Sequence, residues 1–196
     1  MKLIILRRVG TFALAAMVLV VLGCSDNSTE PKVTKPRYPE ATTKDIVIEN
    51  LLKSYKDHNI TQFEKLLHAD FYIWYNQARD VVSYGLPEFY TRDEDIAHTR
   101  NLFLAADHSS NVDSTKWVDR LALDISSGPW IQVDTLMGNP CVDCWQTTRE
   151  YYIVVELKGG IMTLIGNGLV TLFVAPVTEN ATKLYYLRRA DDIMRP

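Results

Sequence analysis

The chain has 196 residues, 47% hydrophobic and 23% charged, with 9 Gly and 8 Pro, which excludes disordered and collagen-like classes and fits one globular domain. The formal net charge is -3, and without the first 23 residues, which carry Lys2, Arg7 and Arg8, 18 basic residues face 24 acidic ones, a net of -6. Such an acidic domain is a poor candidate for nucleic acid or an anionic lipid surface, which need a positive face, so no nucleic-acid partner is expected.

The chain opens on an export signal. Residues 9–23 form a 15-residue uncharged run that includes Phe12-Ala13-Leu14-Ala15-Ala16-Met17-Val18-Leu19-Val20-Val21-Leu22. With the basic residues before it, this has the build of a bacterial secretory signal and is short of the ~20 residues of a spanning helix. At its end stands Val21-Leu22-Gly23-Cys24, which resembles the lipobox of bacterial lipoproteins. The resemblance implies a signal peptide over residues 1–23, cleavage before Cys24, and acylation of Cys24 on its sulfur and its new amino terminus. Several acyl chains at one residue anchor stably where one chain is marginal. The residues alone also admit an ordinary signal peptide or an uncleaved anchor. Ser25 follows the cysteine. By resemblance to enterobacterial sorting, this points to the outer rather than the inner membrane of the cell envelope. No second membrane span is expected, because no apolar run of ~20 residues follows. Residues 24–40 hold three prolines and almost no apolar side chains. They read as a disordered tether, leaving residues 41–196 as the domain.

Residues 43–58 predict a helix, with Val47, Leu51 and Tyr55 on one stripe widened by Ile48 and Leu52 and with Thr42 or Thr43 placed to cap it. Thr61-x-x-Glu64 is a capping box for a short helix through Leu67. Phe71-Tyr72-Ile73-Trp74-Tyr75 is aromatic and predicts a first strand. Residues 80–88, with Gly85 and Pro87, predict a loop. Thr91-Arg92-Asp93-Glu94 is a second capping box, opening a third helix to Ala106 with Ile96, Arg100, Phe103 and Leu104 along one side. After an irregular stretch at 107–115 everything is strand-like. Strands are predicted near 117–125, 130–136, 147–157, 161–174 and 184–193. A loop is expected at 138–144, a hairpin turn at Gly159-Gly160, a bulge or bend at Gly166 and Gly168, and a turn at 176–182. Helices first and strands after give an α+β domain, with about three helices backing a curved antiparallel sheet.

Three stretches carry a resemblance to the nuclear transport factor 2-like superfamily, also called SnoaL-like. They are Ile48-Glu49-Asn50-Leu51-Leu52-Lys53-Ser54-Tyr55, Phe63-Glu64-Lys65-Leu66-Leu67-His68-Ala69-Asp70-Phe71 and Leu184-Tyr185-Tyr186-Leu187-Arg188-Arg189-Ala190-Asp191-Asp192. In order of elements it covers residues 43–193. It implies a cone-shaped, cystatin-like sheet around a pocket. That fold hosts isomerases, dehydratases, cyclases, transport factors and assembly domains, so the function has to come from the site. Isomerase members use a Tyr on the first helix, where Tyr55 stands, an Asp ending the first strand, where Tyr75 stands, and an acid on the penultimate strand, where Leu169-Val170-Thr171-Leu172 offers none. Two of three roles are vacant, so no catalytic residue is assigned and Tyr55 reads as a packing residue. Dehydratase members pair a His with an Asp under tyrosines. His98 falls on the polar shoulder of its helix and reads as solvated, while Asp124 and Asp134 fall on strands.

Tyr55, Tyr75, Trp130 and Asp191 are the candidate pocket residues. Of the Asp191-Asp192 pair only one side chain can face the cone, since strand neighbours point to opposite faces. The pair either meets Arg188 or Arg189 at a solvated strand end or lends one carboxylate to the pocket. Cys141-Val142-Asp143-Cys144 reads as a loop-stapling disulfide in an exported protein, with a redox-active pair and a metal site as its other readings. The four scattered histidines have no ligand spacing and no cofactor fingerprint occurs, so neither metal nor cofactor is expected. The expected partners are a membrane through the lipid anchor, a small apolar ligand or a protein, and a second copy through the sheet face. The leading reading is a non-catalytic envelope lipoprotein; the alternative is a small isomerase or dehydratase on the same fold.

Overall fold

The structure, a computed structural model, describes residues 38–69 and 72–193. The signal segment, Cys24 and the rest of the tether up to residue 37 lie outside the described residues. The chain divides into Met1–Thr34 and Lys35–Pro196, and only the second unit is described.

Helix α1 (Lys44–Lys56) starts at Thr43, whose hydroxyl accepts from the Ile46 amide at 3.4 Å, and it buries Val47, Ile48 and Leu51. Helix α2 (Ile60–Leu66) is capped by Asn59, not by the expected box at Thr61. Asn59 is still extended and its side chain accepts from the Gln62 amide at 3.1 Å, while Thr61 is already inside the helix. The Asn59 amide meanwhile donates to the Ser54 carbonyl, so one residue closes α1 and opens α2. Strand β1 (Ile73–Tyr75) follows.

The expected loop at 80–88 is instead helix α3 (Ala78–Tyr84) leading to strand β2 (Phe89–Thr91). Gly85, in the left-handed region at φ 65°, ends α3, so the glycine read as a loop signal is a helix stop. No apolar stripe betrays α3; its Val82 is 85% exposed. Helix α4 (Arg92–Ala106) has both halves of its predicted capping box: the Thr91 amide donates to Glu94 Oε2 at 2.9 Å and the Glu94 amide to Thr91 Oγ1 at 3.4 Å.

The remaining strands are β3 (Val118–Ile125), β4 (Ile131–Leu136), β5 (Asn139–Leu157), β6 (Thr163–Glu179) and β7 (Thr182–Ile193). The sheet runs β2-β1-β7-β6-β5-β3, with β4 also on β5. It is mixed rather than wholly antiparallel, because β1 lies parallel to β7, Ile73 opposite Arg189. The long strands β5 and β6 form its curved centre, and the helices cover one face. Val47, Leu51, Phe63 and Phe103 from the helices meet Val170, Leu172, Val174 and Leu187 from the sheet.

Three further expectations are corrected. The stretch at 138–144 is not a loop but the start of β5. The β4–β5 turn lies at Met137 and Gly138, both at positive φ, and Cys141 and Cys144 are joined by a disulfide with Cα atoms 5.7 Å apart. The pair brackets a bulge, for the register shifts between Val133, opposite Cys144, and Thr135, opposite Pro140. Pro176 lies within β6, and the turn is at Asn180-Ala181. The β5 ladder ends at Trp145 opposite Val174, so Pro176 sits where β6 has only β7 beside it and no amide is missed. Finally, the β5–β6 register runs unbroken past Gly166 and Gly168. These glycines make room instead: a Cβ on Gly166 would stand 2.8 Å from Ile153 Cγ2, and one on Gly168 3.1 Å from the Tyr151 ring.

Candidate functional site

Between the helices and the concave face of the sheet lies a cavity of about 230 Å³. Its walls are apolar: Leu51 of α1, Phe63 of α2, Leu123 and Ile125 of β3, Ile153 of β5, Val170 and Leu172 of β6 and Leu187 of β7. Polar atoms enter from Tyr55, Tyr72, Trp74, Tyr151 and one carboxylate, Asp95. Asp95 arrives on the first turn of α4, one residue after the capping Glu94, so the box that starts the helix also aims this side chain inward. Tyr72, just before β1 and 4% exposed, donates its hydroxyl to Asp95. Tyr55 stands over the cavity at the centre of an aromatic cluster, 5.2 Å from Phe103 and 5.9 Å from Phe63, both edge-on, and its hydroxyl is hydrogen-bonded to Thr99.

The apolar setting shifts the ionisable groups. Desolvation pushes the Asp95 carboxyl up to about 6, against the opposing pull of the Tyr72 hydrogen bond and of nearby His98. Burial and the Asp95 charge hold both the Tyr55 and Tyr72 hydroxyls well above the ordinary phenol range. Tyr55, Trp74 and Asp95 also line an adjoining surface depression with Tyr90, His98, Thr99 and Leu102, so Asp95 stands between the cavity and the outside. His98 packs edge-on against Tyr90 at 4.7 Å. Farther along the cavity, Tyr151 donates to Asp192 at 3.1 Å, and Gln77 donates to the same carboxylate at 2.7 Å. Burial raises Asp192 as well.

No protein-family model matches the sequence, and no curated protein matches it. Solved structures do. A conserved protein from Planctomyces limnophilus aligns with a TM-score of 0.50 over 78% of this chain and 93% of its own, at 11% identity. A type 2 hexachlorocyclohexane dehydrochlorinase aligns at 0.50 over 76% and 81%, at 7% identity. A nuclear transport factor 2-like protein of unknown function from Shewanella oneidensis aligns at 0.38 over 74% and 91%, at 8% identity. The domain has the nuclear transport factor 2-like fold. At these identities the likeness is one of fold, not of chemistry.

In this nuclear transport factor 2-like cone, Tyr55 is the one sequence-predicted pocket residue that lines the cavity. Tyr75 lies outside it, 5.7 Å from Phe89 and with the Arg189 guanidinium 4.6 Å over its ring. Asp191 is held by that same Arg189 through bonds of 2.6 and 2.8 Å. Trp130 lies before β4, donating to Asp45 at 2.7 Å under the Arg149 guanidinium. Asp192, not Asp191, is the acid joined to a cavity residue. Asp95 and Tyr72 were the residues missed. A capping box followed at once by a further Asp gives an acid-rich first turn, ordinarily explained by the helix dipole alone. The usable signal is that Asp95 lies next to Ile96 and four before Thr99, both buried, and so borders the inward stripe.

Proposed function

We propose that the chain is a lipid-anchored protein of the bacterial envelope whose cone cavity binds a small, mainly apolar molecule bearing one polar group. The cavity carries this reading: about 230 Å³ of apolar wall with one carboxyl and a few phenol hydroxyls gathered in it. The volume exceeds the ~150 Å³ of an engineered cavity that takes benzene, so a single ring with a substituent or two suits it. The polar group of the guest would meet Asp95 and Tyr55. Native mass spectrometry of the intact chain extracted from its own membrane tests this. A retained small molecule, lost in Val170→Phe, is the expected result; a tightly folded chain whose occupancy is unaffected by Val170→Phe would remove the cavity as the site.

A second reading has one specific observation in its favour. A carboxyl held at about 6 in an apolar pocket is tuned for proton transfer near neutral pH. On this reading Asp95 takes a proton from the bound molecule and a phenol hydroxyl steadies the charge left behind, an isomerisation or an elimination. Asp95→Asn separates the two readings, because it keeps the shape and an acceptor for Tyr72. Binding survives it; a turnover that depends on the carboxylate does not.

A further inference from the structure

Among its described lining residues the cavity has one carboxylate, Asp95, and no lysine, arginine or histidine. Asp95 accepts from the Tyr72 hydroxyl, a neutral donor. Two arginines of α4 are engaged with other acids: Arg92 lies 3.4 Å from Asp93, and Arg100 lies 2.5 Å from Glu64. His98, in the adjoining depression, acts on Asp95 from outside the cavity. At the far end the balance is again acidic. Asp192 stands behind Tyr151 at 3.1 Å, and Arg79, the cation near that pair, is 3.2 Å from Asp80.

Aromatic side chains form much of the remaining wall: Tyr55, Phe63, Tyr72, Trp74 and Tyr151. A ring attracts a cation through its quadrupole, and more strongly where water is excluded. Elsewhere the chain meets that attraction from its own residues. Lys44 Nζ lies 3.9 Å from the centre of the Trp145 ring, Lys158 Nζ 4.2 Å from that of Trp117, and the Arg149 guanidinium 5.1 Å from that of Trp130. Among the described residues no lysine or arginine lies over any of the five cavity rings. The carboxylate and these rings leave a place for a positive charge that the chain itself does not fill.

We propose that the guest of this cavity is an organic ammonium ion, a protonated amine on a body about one ring in size, whose charge pairs with Asp95 and lies among Tyr55, Tyr72 and Trp74; the proposal rests on the ligand-binding reading above. Burying an ammonium or a carboxylate alone is costly. Burying the two together, with further oxygens to accept the remaining N–H bonds, offsets that cost. Tyr55 and Tyr72 bring such oxygens to the cavity. The wider charge favours entry: beyond the first 23 residues 18 basic residues face 24 acidic ones, and the first turn of α4 carries Asp93, Glu94 and Asp95 together.

Benzylammonium and benzyl alcohol supply the test, since they match in size and only the first is charged near neutral pH. Binding to the intact chain is titrated by saturation-transfer NMR, with Val170→Phe as the blank because its ring fills the cavity. At neutral pH benzylammonium should bind at least about tenfold more tightly than the alcohol. Pairing needs the carboxylate form, and Asp95, faced by Tyr72, Tyr55 and His98, keeps its proton up to about 6. Benzylammonium should therefore weaken by about tenfold from about pH 7 to about pH 5, while benzyl alcohol does not. In Asp95→Asn the alcohol still binds, benzylammonium falls to its level, and the pH dependence disappears. His98→Gln should keep that dependence; its loss there would make histidine repulsion the cause and overturn the proposal. Equal binding of the two probes to the wild type, abolished by Val170→Phe, overturns the ammonium guest and leaves the cavity standing as the site. If neither probe binds, or if both bind Val170→Phe as well as the wild type, the cavity reading falls and the proposal with it.

Discussion

Asp95 is costly to keep charged where it stands. Its carboxyl rises from an ordinary 3.8 to about 6 chiefly because α4 places it against apolar walls. The folded chain therefore holds the proton between about pH 4 and pH 6 while the unfolded chain has released it. The stability contributed by this residue is fullest below about pH 4 and falls as pH rises through 6. Asp95→Asn removes that dependence. The variant should match the wild type near pH 4 and exceed it at pH 7 by up to about 3 kcal/mol, read from denaturant midpoints across the pH range. A difference that does not vary with pH would mean that the carboxyl is not desolvated. Tyr55, beside it, separates into ring and hydroxyl. Its ring fills the space between Phe63 and Phe103, whereas its hydroxyl bonds Thr99. Tyr55→Phe should cost about 1 kcal/mol and Tyr55→Ala about 3–5 kcal/mol. If the two cost the same, the ring is not packing as described.

At the scale of elements, one arginine organises the passage from β3 to β4. Arg149 of β5 is 7% exposed, and its guanidinium donates to Thr147 Oγ1 at 3.1 Å, to the Ser126 carbonyl at 3.5 Å and to the Gly128 carbonyl at 3.4 Å. It also lies over Trp130 and 3.5 Å from Asp45, which ties the start of α1 to the sheet. A lysine keeps the charge but not the planar fork. Arg149→Lys should cost about 1–3 kcal/mol and speed amide exchange across residues 126–130. An unchanged exchange pattern would show that the loop holds itself.

The elements differ in how legible they were. The capping box at Thr91 and the stripe of α1 could be read because local hydrogen bonding and burial agree there. Helix α3 could not, since it buries no stripe of its own and is ended by a glycine that marks loops equally well. The bulge at Cys141 and Cys144 reads as a loop in the sequence because Gly138 and Pro140 look like breakers, whereas 19 residues of continuous β5 carry it in the sheet. Of the site, Tyr55 was legible from its stripe. Asp95 was not, because an acid in the first turn of a helix has a sufficient surface explanation, and only the fold brings Tyr72 and β3 up against it.

Over the whole molecule, the cavity and the proposed anchor use separate parts of the chain. The cavity is closed by side chains from both helices and sheet, with Val170 2% and Leu172 1% exposed at its floor. The proposed anchor is one residue, Cys24, whereas the cavity walls named among the described residues run from Leu51 to Leu187. Substitutions should therefore divide the two properties cleanly. Cys24→Ser should release the chain from the membrane fraction while leaving thermal stability and any retained ligand unchanged. Val170→Phe should do the reverse: the added ring fills the apolar space, so membrane association persists and the ligand is lost. Overpacking a well-filled core costs typically ~1–3 kcal/mol, but this ring enters a void, so the loss should lie at or below the low end of that range. Fractionation, thermal melts and native mass spectrometry on both variants give the four readings. Retention of Cys24→Ser in the carbonate-washed membrane would end the lipid-anchor reading, and loss of ligand in Cys24→Ser would show that the cavity depends on the membrane for its guest.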